Sequence, residues 1–236
     1  YYFTSDDHSK RARALYQYAL SLIRQAEYVE AMYTLDEVEE SLSRVVNKRL
    51  EALVHRSKGD IYNVNMLFQQ AISEVEKAKL YFDECGLTQH SLHANLLIIS
   101  YYIQSRDYDT ALQLLPDFES KVVEAQDQYL LNEVLFHYCI IIVADEYAPL
   151  GNLLSRVDTQ YLNEYTAVYY YSFSAIFEAY SGNFERAFEL LATARESTSP
   201  DISFHKSLVD YAEYANYLLR SDYFNAHTIY CQMIAA

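Results

Sequence analysis

The chain of 236 residues has only 4 Gly and 3 Pro, and no Trp. Seven turn-formers in 236 residues is about 3%, against roughly 12% in average usage. Dinucleotide fingerprints and phosphate loops need clustered glycines for tight turns and close backbone approach. Here Gly59, Gly86, Gly151 and Gly182 each stand alone. Sandwiches and barrels need many Gly- or Pro-bearing turns, so they are excluded as well. Cys85, Cys139 and Cys231 are few, odd in number and far apart, which suggests neither a disulfide framework nor a zinc ligand set. No cofactor and no metal is expected. Basic residues are scarce too: 18 Lys and Arg against 33 Asp and Glu leave a net charge of -15. Such a surface repels phosphate backbones, so nucleic acid is not an expected partner. Apolar runs are short. Those around Leu92–Ile103 and Val134–Ala144 are about half the roughly 20 residues that a membrane span requires.

What is present is apolar content, 51%, and 25 tyrosines, too much for a disordered chain. One short phrase recurs along the chain. It reads Ala26-Glu27-Tyr28-Val29-Glu30-Ala31, and returns at Met66–Ala71, Arg106–Ala111, Asp145–Leu150, Gly182–Ala187 and Ser221–Ala226. The closing positions 31, 71, 111, 150, 187 and 226 are separated by 40, 40, 39, 37 and 39 residues. An aromatic stands three residues before each of these anchors, and five of the six anchors are Ala. Each phrase reads as the turn of a helix–turn–helix unit. Asp or Asn in the turn caps the second helix. The aromatic fills the wedge between helices, and the small anchor permits close approach. A small residue twelve positions earlier, at Ala19, Gly59 and Ala175, marks the matching contact on the first helix.

This pattern resembles the tetratricopeptide repeat, extended from 34 residues to about 39, over essentially the whole chain. Tyr28/Ala31, Tyr108/Ala111, Phe184/Ala187 and Tyr223/Ala226 carry the likeness best. The family's helix-A Trp is absent, and its closing Pro appears only at Pro200. Leu150 replaces Ala in the fourth repeat, where Pro149 is expected in the first turn of the second helix. The resemblance implies an all-α, right-handed superhelical α-solenoid of about six antiparallel helix pairs. They are expected at about 9–46, 48–86, 89–126, 128–160, 163–198 and 203–236, as a single repeat domain. Residues 1–8 read as the tail of a preceding, truncated helix, and the apolar end at Met233-Ile234-Ala235-Ala236 lacks a polar cap. Both ends therefore suggest an excised fragment.

No pattern points to chemistry. Asp36, Glu37, Glu39 and Glu40 read as a solvated helix face. Cys85, His90 and His93 have only loosely metal-like spacing. His137 and Cys139 lie two residues apart on a helix and diverge. An enzyme is not expected. In the resembled family, counting the anchor as position 20, helix-A positions 2, 5, 9, 12 and 13 line a concave groove. On this chain the polar and aromatic residues there are Arg13, Tyr16, Arg24, Arg56, Asp60, Asn63, His93, Gln104, Asn132, Tyr169, Tyr180 and Tyr211. The carboxylate clamp of chaperone-binding members is missing, since Tyr16, Leu20, His93 and Leu97 occupy its positions. The expected function is a non-catalytic scaffold that binds a protein or peptide in that groove. The alternative is the sensory domain of a membrane-linked bacterial regulator or sensor kinase. The long, Tyr-rich repeats resemble segments of Bacteroidetes-type regulators or lipoproteins, which would place the segment in the periplasm or on a membrane tether. Otherwise it would be cytoplasmic.

Overall fold

The computed structural model describes residues 7–198 and 203–235. Among them every regular element is helical. The A helices are α1 His8–Arg24, α3 Lys48–Val64, α5 Thr88–Gln104, α7 Gln128–Ile142, α9 Glu164–Tyr180 and α11 Ser203–Leu219. The B helices are α2 Tyr28–Leu42, α4 Phe68–Glu84, α6 Tyr108–Glu124, α8 Leu150–Ser155, α10 Phe184–Glu196 and α12 Tyr223–Ala235. No helix among the described residues is long and apolar enough to cross a membrane. Residues 1–6 and Pro200 lie outside the described residues. Asp7 is the N-cap of α1, its carboxylate accepting from the amides of Ser9 and Lys10 at 3.1 and 3.2 Å. The chain forms two compact units, the first ending at Phe118 and the second starting at Glu119, within α6.

The helix ends explain how so few glycines suffice. Ala26, Met66, Gly86, Arg106, Gln126, Gly182 and Ser221 all have φ between 55° and 85°, the left-handed region. Each closes its helix with the same pair of backbone bonds. At the first turn, the Ala26 amide donates to the Ile23 carbonyl at 3.0 Å and the Glu27 amide to Leu22 at 2.9 Å. This double bond satisfies two carbonyls that a helix end leaves free. Five of the seven positions carry a side chain where glycine is the favoured residue. Side-chain capping of the following helix holds at Asp107, which accepts from the Thr110 amide, and at Asp222, which accepts from Asn225. It fails at Glu27 and Asn183. Asn183 instead donates its side-chain amide to Glu178. The backbone bonds already reverse the chain there.

In the first unit, α1 pairs with α2 and α3 with α4, and the pairs stack through α2 against α3 and α4 against α5. The anchors Ala31 and Ala71 are fully buried. Gly59 shows why small residues are needed. A Cβ there would lie 2.5 Å from Val75 Cγ2 and 3.2 Å from the carbonyl oxygen of Ala71, the anchor itself. Ala19 and Ala175 hold the corresponding places in α1 and α9, both fully buried. In the second unit α9 packs on α10 and α11, and α11 on α12. Phe136, Tyr169 and Phe173 form its aromatic centre, with Phe136 stacked on the other two at 5.6 and 6.5 Å.

The fourth repeat departs from the others. Pro149 occupies the N-cap of α8, one residue outside the helix, and α8 has only 6 residues. A 3-10 turn, Thr159–Tyr161, completes the connection. Buried Asn132 holds it, donating to the Asp158 carbonyl at 2.9 Å and accepting from the Asp158 amide at 3.1 Å. Asn163 and Thr166 then form a reciprocal cap that starts α9.

Candidate ligand-binding faces on the A helices

On the first unit, α1, α3 and α5 carry a polar strip. Arg13, Arg24 and Arg56 are exposed, and none forms an ion pair among the described residues. The Tyr16 hydroxyl lies 3.3 Å from Ser57 Oγ, and Tyr101 donates to Asp60 at 3.3 Å. Burial pushes the Asp60 carboxyl above its ordinary range, while Arg56 and the Tyr101 hydroxyl pull it down. Burial, then the Asp60 charge, raises the Tyr101 phenol far above its usual value. Asn63 has its Oδ1 buried without a partner. His93 and Gln104 are exposed on α5. Tyr16 and Tyr101 are core residues whose hydroxyls alone serve this strip. The three arginines give a cationic feature to a chain of net charge -15, with Arg56 already acting on the Asp60 carboxyl.

On the second unit, α7, α9 and α11 frame a pocket of about 250 Å³ that opens to solvent. Ile140, Val143 and Ala144 line it from α7 and its C-terminal end, Phe173 from α9, and Ser207, Leu208 and Tyr211 from α11. Tyr211 donates to the Val143 carbonyl at 3.0 Å, which fixes its ring as one wall. Tyr147 lies beside it, its hydroxyl 3.5 Å away, and edges onto Tyr180 at 6.2 Å. Burial and Tyr147 hold the Tyr211 phenol well above its usual range, so it stays neutral and can donate. A lining this apolar with few polar groups suits a hydrophobic side chain.

Further along α9 and α11, the Tyr165 and Tyr169 hydroxyls lie 2.9 Å apart. The buried ring of His205 packs on Tyr165 at 4.7 Å, and both its nitrogens lack partners. Burial keeps His205 below its ordinary value and therefore neutral at pH 7.

The groove candidates thus divide. Arg13, Arg24, Arg56, His93, Gln104 and Tyr180 are exposed, and Asp60, Asn63 and Tyr211 half-buried. Tyr16, Tyr169 and Asn132 are buried, and Asn132 spends its amide on the Asp158 backbone. Of the cavity lining only Tyr211 belongs to the nominated set. The other wall residues, Ser207 apart, are apolar, and all of them either lie off the nominated register positions or are aliphatic.

The chemical candidates stay apart. Cys139 is fully buried, and burial pushes its thiol up to about 12, which suppresses the thiolate. His137 donates through Nδ1 to the Glu133 carbonyl at 2.7 Å. His90 packs on Phe82, and Cys85 is exposed at the end of α4.

No family model matches the chain, and no curated protein sequence matches it. Solved structures do. The apo form of RapI superposes with a TM-score of 0.70 at 17% identity, covering 95% of this chain and 80% of that one. A Rap protein crystallised in complex with Competence and Sporulation Factor superposes with a TM-score of 0.65 at 10% identity, covering 97% and 74%. At these identities the likeness is one of fold: an all-α, tetratricopeptide-like helical repeat, the class that the 39-residue period implies.

Proposed function

We propose that this chain is a non-catalytic binding module that takes a peptide or protein segment on its A-helix face. The observation that carries the proposal is the apolar cavity between α7, α9 and α11, whose tyrosine wall is held by the Val143 carbonyl. It accommodates one large aliphatic or aromatic side chain of an extended ligand. Tyr147, Tyr180 and Tyr211 offer rigid contact area beside it, at low cost in side-chain entropy. The solved Rap structure with Competence and Sporulation Factor supports the reading, because a protein of this fold is there complexed with a partner. A carboxylate-bearing segment would suit the separate arginine strip of the first unit.

The test is isothermal titration of the chain with pools of extended peptides, followed by the Ala144→Phe variant. Ala144 is exposed at the cavity rim, so a larger side chain fills the space without strain in the core. Saturable binding that weakens at least about 10-fold in the variant, with an unchanged melting temperature, fits the proposal. No binding by any pool, or equal binding by the variant, contradicts it. Placement in a membrane-linked bacterial regulator is a finer form of the same proposal. It requires a transmembrane or effector segment encoded beyond Ala236, and the full open reading frame decides it.

A further inference from the structure

Away from both A-helix faces, α2, α3 and α4 bring three metal-ligating side chains together. His55 Nδ1 lies 2.7 Å from Glu74 Oε2 and 3.7 Å from Glu39 Oε1. The ligand atoms of Glu39, His55 and Glu74 all fall within 4.8 Å of one another. Around a tetrahedral zinc with bonds of about 2.0 Å, donors stand about 3.3 Å apart, so small side-chain rotations suffice. We propose that Glu39, His55 and Glu74 form a site for a divalent transition-metal ion such as Zn²⁺, with water at the open position.

Several features favour an ion there. The donors come from three helices, so the backbone sets their spacing. The Tyr81 ring stacks on the imidazole at 5.7 Å and 11°, fixing its plane. The three side chains are partly exposed, which leaves an entry path. The nearby cations can yield. Lys77 pairs with Glu74 at 2.7 Å but is half exposed, and such helix-surface pairs contribute little. Lys58 bridges Glu39 at 3.0 Å and Asp36 at 2.6 Å, so it keeps Asp36 as counter-charge when Glu39 turns to the ion. On binding, the Nδ1 proton passes to Nε2 of a neutral ring, or to water from an imidazolium, so that the Nδ1 lone pair can ligate. The acidic surface of the chain raises the local cation concentration.

The test is titration with Co²⁺ followed by visible absorption, and with Zn²⁺ by calorimetry. The exposed His227–Cys231 pair on α12 can compete for zinc, so both run in a Cys231→Ser background. The expected result is one ion per chain with a visible d–d band. His55→Gln and Glu39→Gln should each weaken binding at least 10-fold, while Glu76→Gln, on α4 with Glu74, leaves it unchanged. Lys77→Ala should tighten it, because it removes the competing ammonium. Circular dichroism in EDTA confirms that each variant is folded. Absence of saturable binding, or binding unaffected by both His55→Gln and Glu39→Gln, overturns the proposal and leaves an ion-pair network only.

Discussion

Ala26 occupies the left-handed region at φ 59°, on the surface, with only a methyl group to lose. The left-handed conformation costs an L-residue roughly 1–2 kcal/mol. Replacement by Gly removes that cost but adds about 0.4–1 kcal/mol of unfolded-chain entropy. Ala26→Gly should therefore stabilise the protein by about 0.5–1 kcal/mol. The mirror experiment uses Gly86, at φ 66°, where an added Cβ meets nothing within 4 Å. With no steric contact to confuse it, Gly86→Ala should destabilise by about the same amount. Met66, Arg106, Gln126 and Ser221 share the geometry, and gains at such separated sites should add. Urea denaturation followed by circular dichroism measures the shift in midpoint at constant slope. A loss of stability in Ala26→Gly, or a gain in Gly86→Ala, would refute the assignment of these turns as strained left-handed caps.

Three other outcomes follow from the packing and charges. Gly59→Val should destabilise by about 1–3 kcal/mol, because its side chain drives into Val75 and the Ala71 carbonyl; the urea midpoint reads it. Glu74 sits partly buried, yet its bonds to His55 and Lys77 outweigh burial and hold its carboxyl at about 2. A depressed folded value means the stability it contributes is present above its unfolded value near 4.5 and lost as pH falls toward 2. Glu74→Gln should accordingly flatten the melting-temperature decline across that acid window. Glu133 is displaced the other way, raised first by burial and then by Asp127. A raised value costs stability once pH exceeds the unfolded range, so Glu133→Gln should raise the melting temperature at pH 7 and change little near pH 3.

The helix pairs were legible because one constraint repeats: an anchor such as Ala31 or Ala71 must let two helices touch, and only a small residue allows it. The same logic located Gly59, whose missing Cβ faces the Ala71 carbonyl. The turn mechanism was less legible. Asp and Asn suggested side-chain caps, whereas backbone bonds around Ala26, Met66, Arg106 and Ser221 carry most of the reversal, and such residues show no left-handed preference in a sequence. The proposed binding face was half legible. Repeat register nominated Tyr211 for a groove, and Tyr211 lines the pocket, but Ile140, Val143 and Leu208 look like any core residues. Register also nominated Asn132, which the shortened fourth repeat recruits to brace its loop. The Glu39–His55–Glu74 cluster was invisible, because its members come from three separate helices, with His55 and Glu74 19 positions apart.

The most direct measurement of the central claim is hydrogen–deuterium exchange with and without a bound peptide, selected by titration. The account predicts slowed exchange in α7, α9 and α11, centred on 140–144 and 207–211, with α8, α10 and α12 unchanged. Protection confined to the B helices, or none along 140–144 and 207–211, would contradict it.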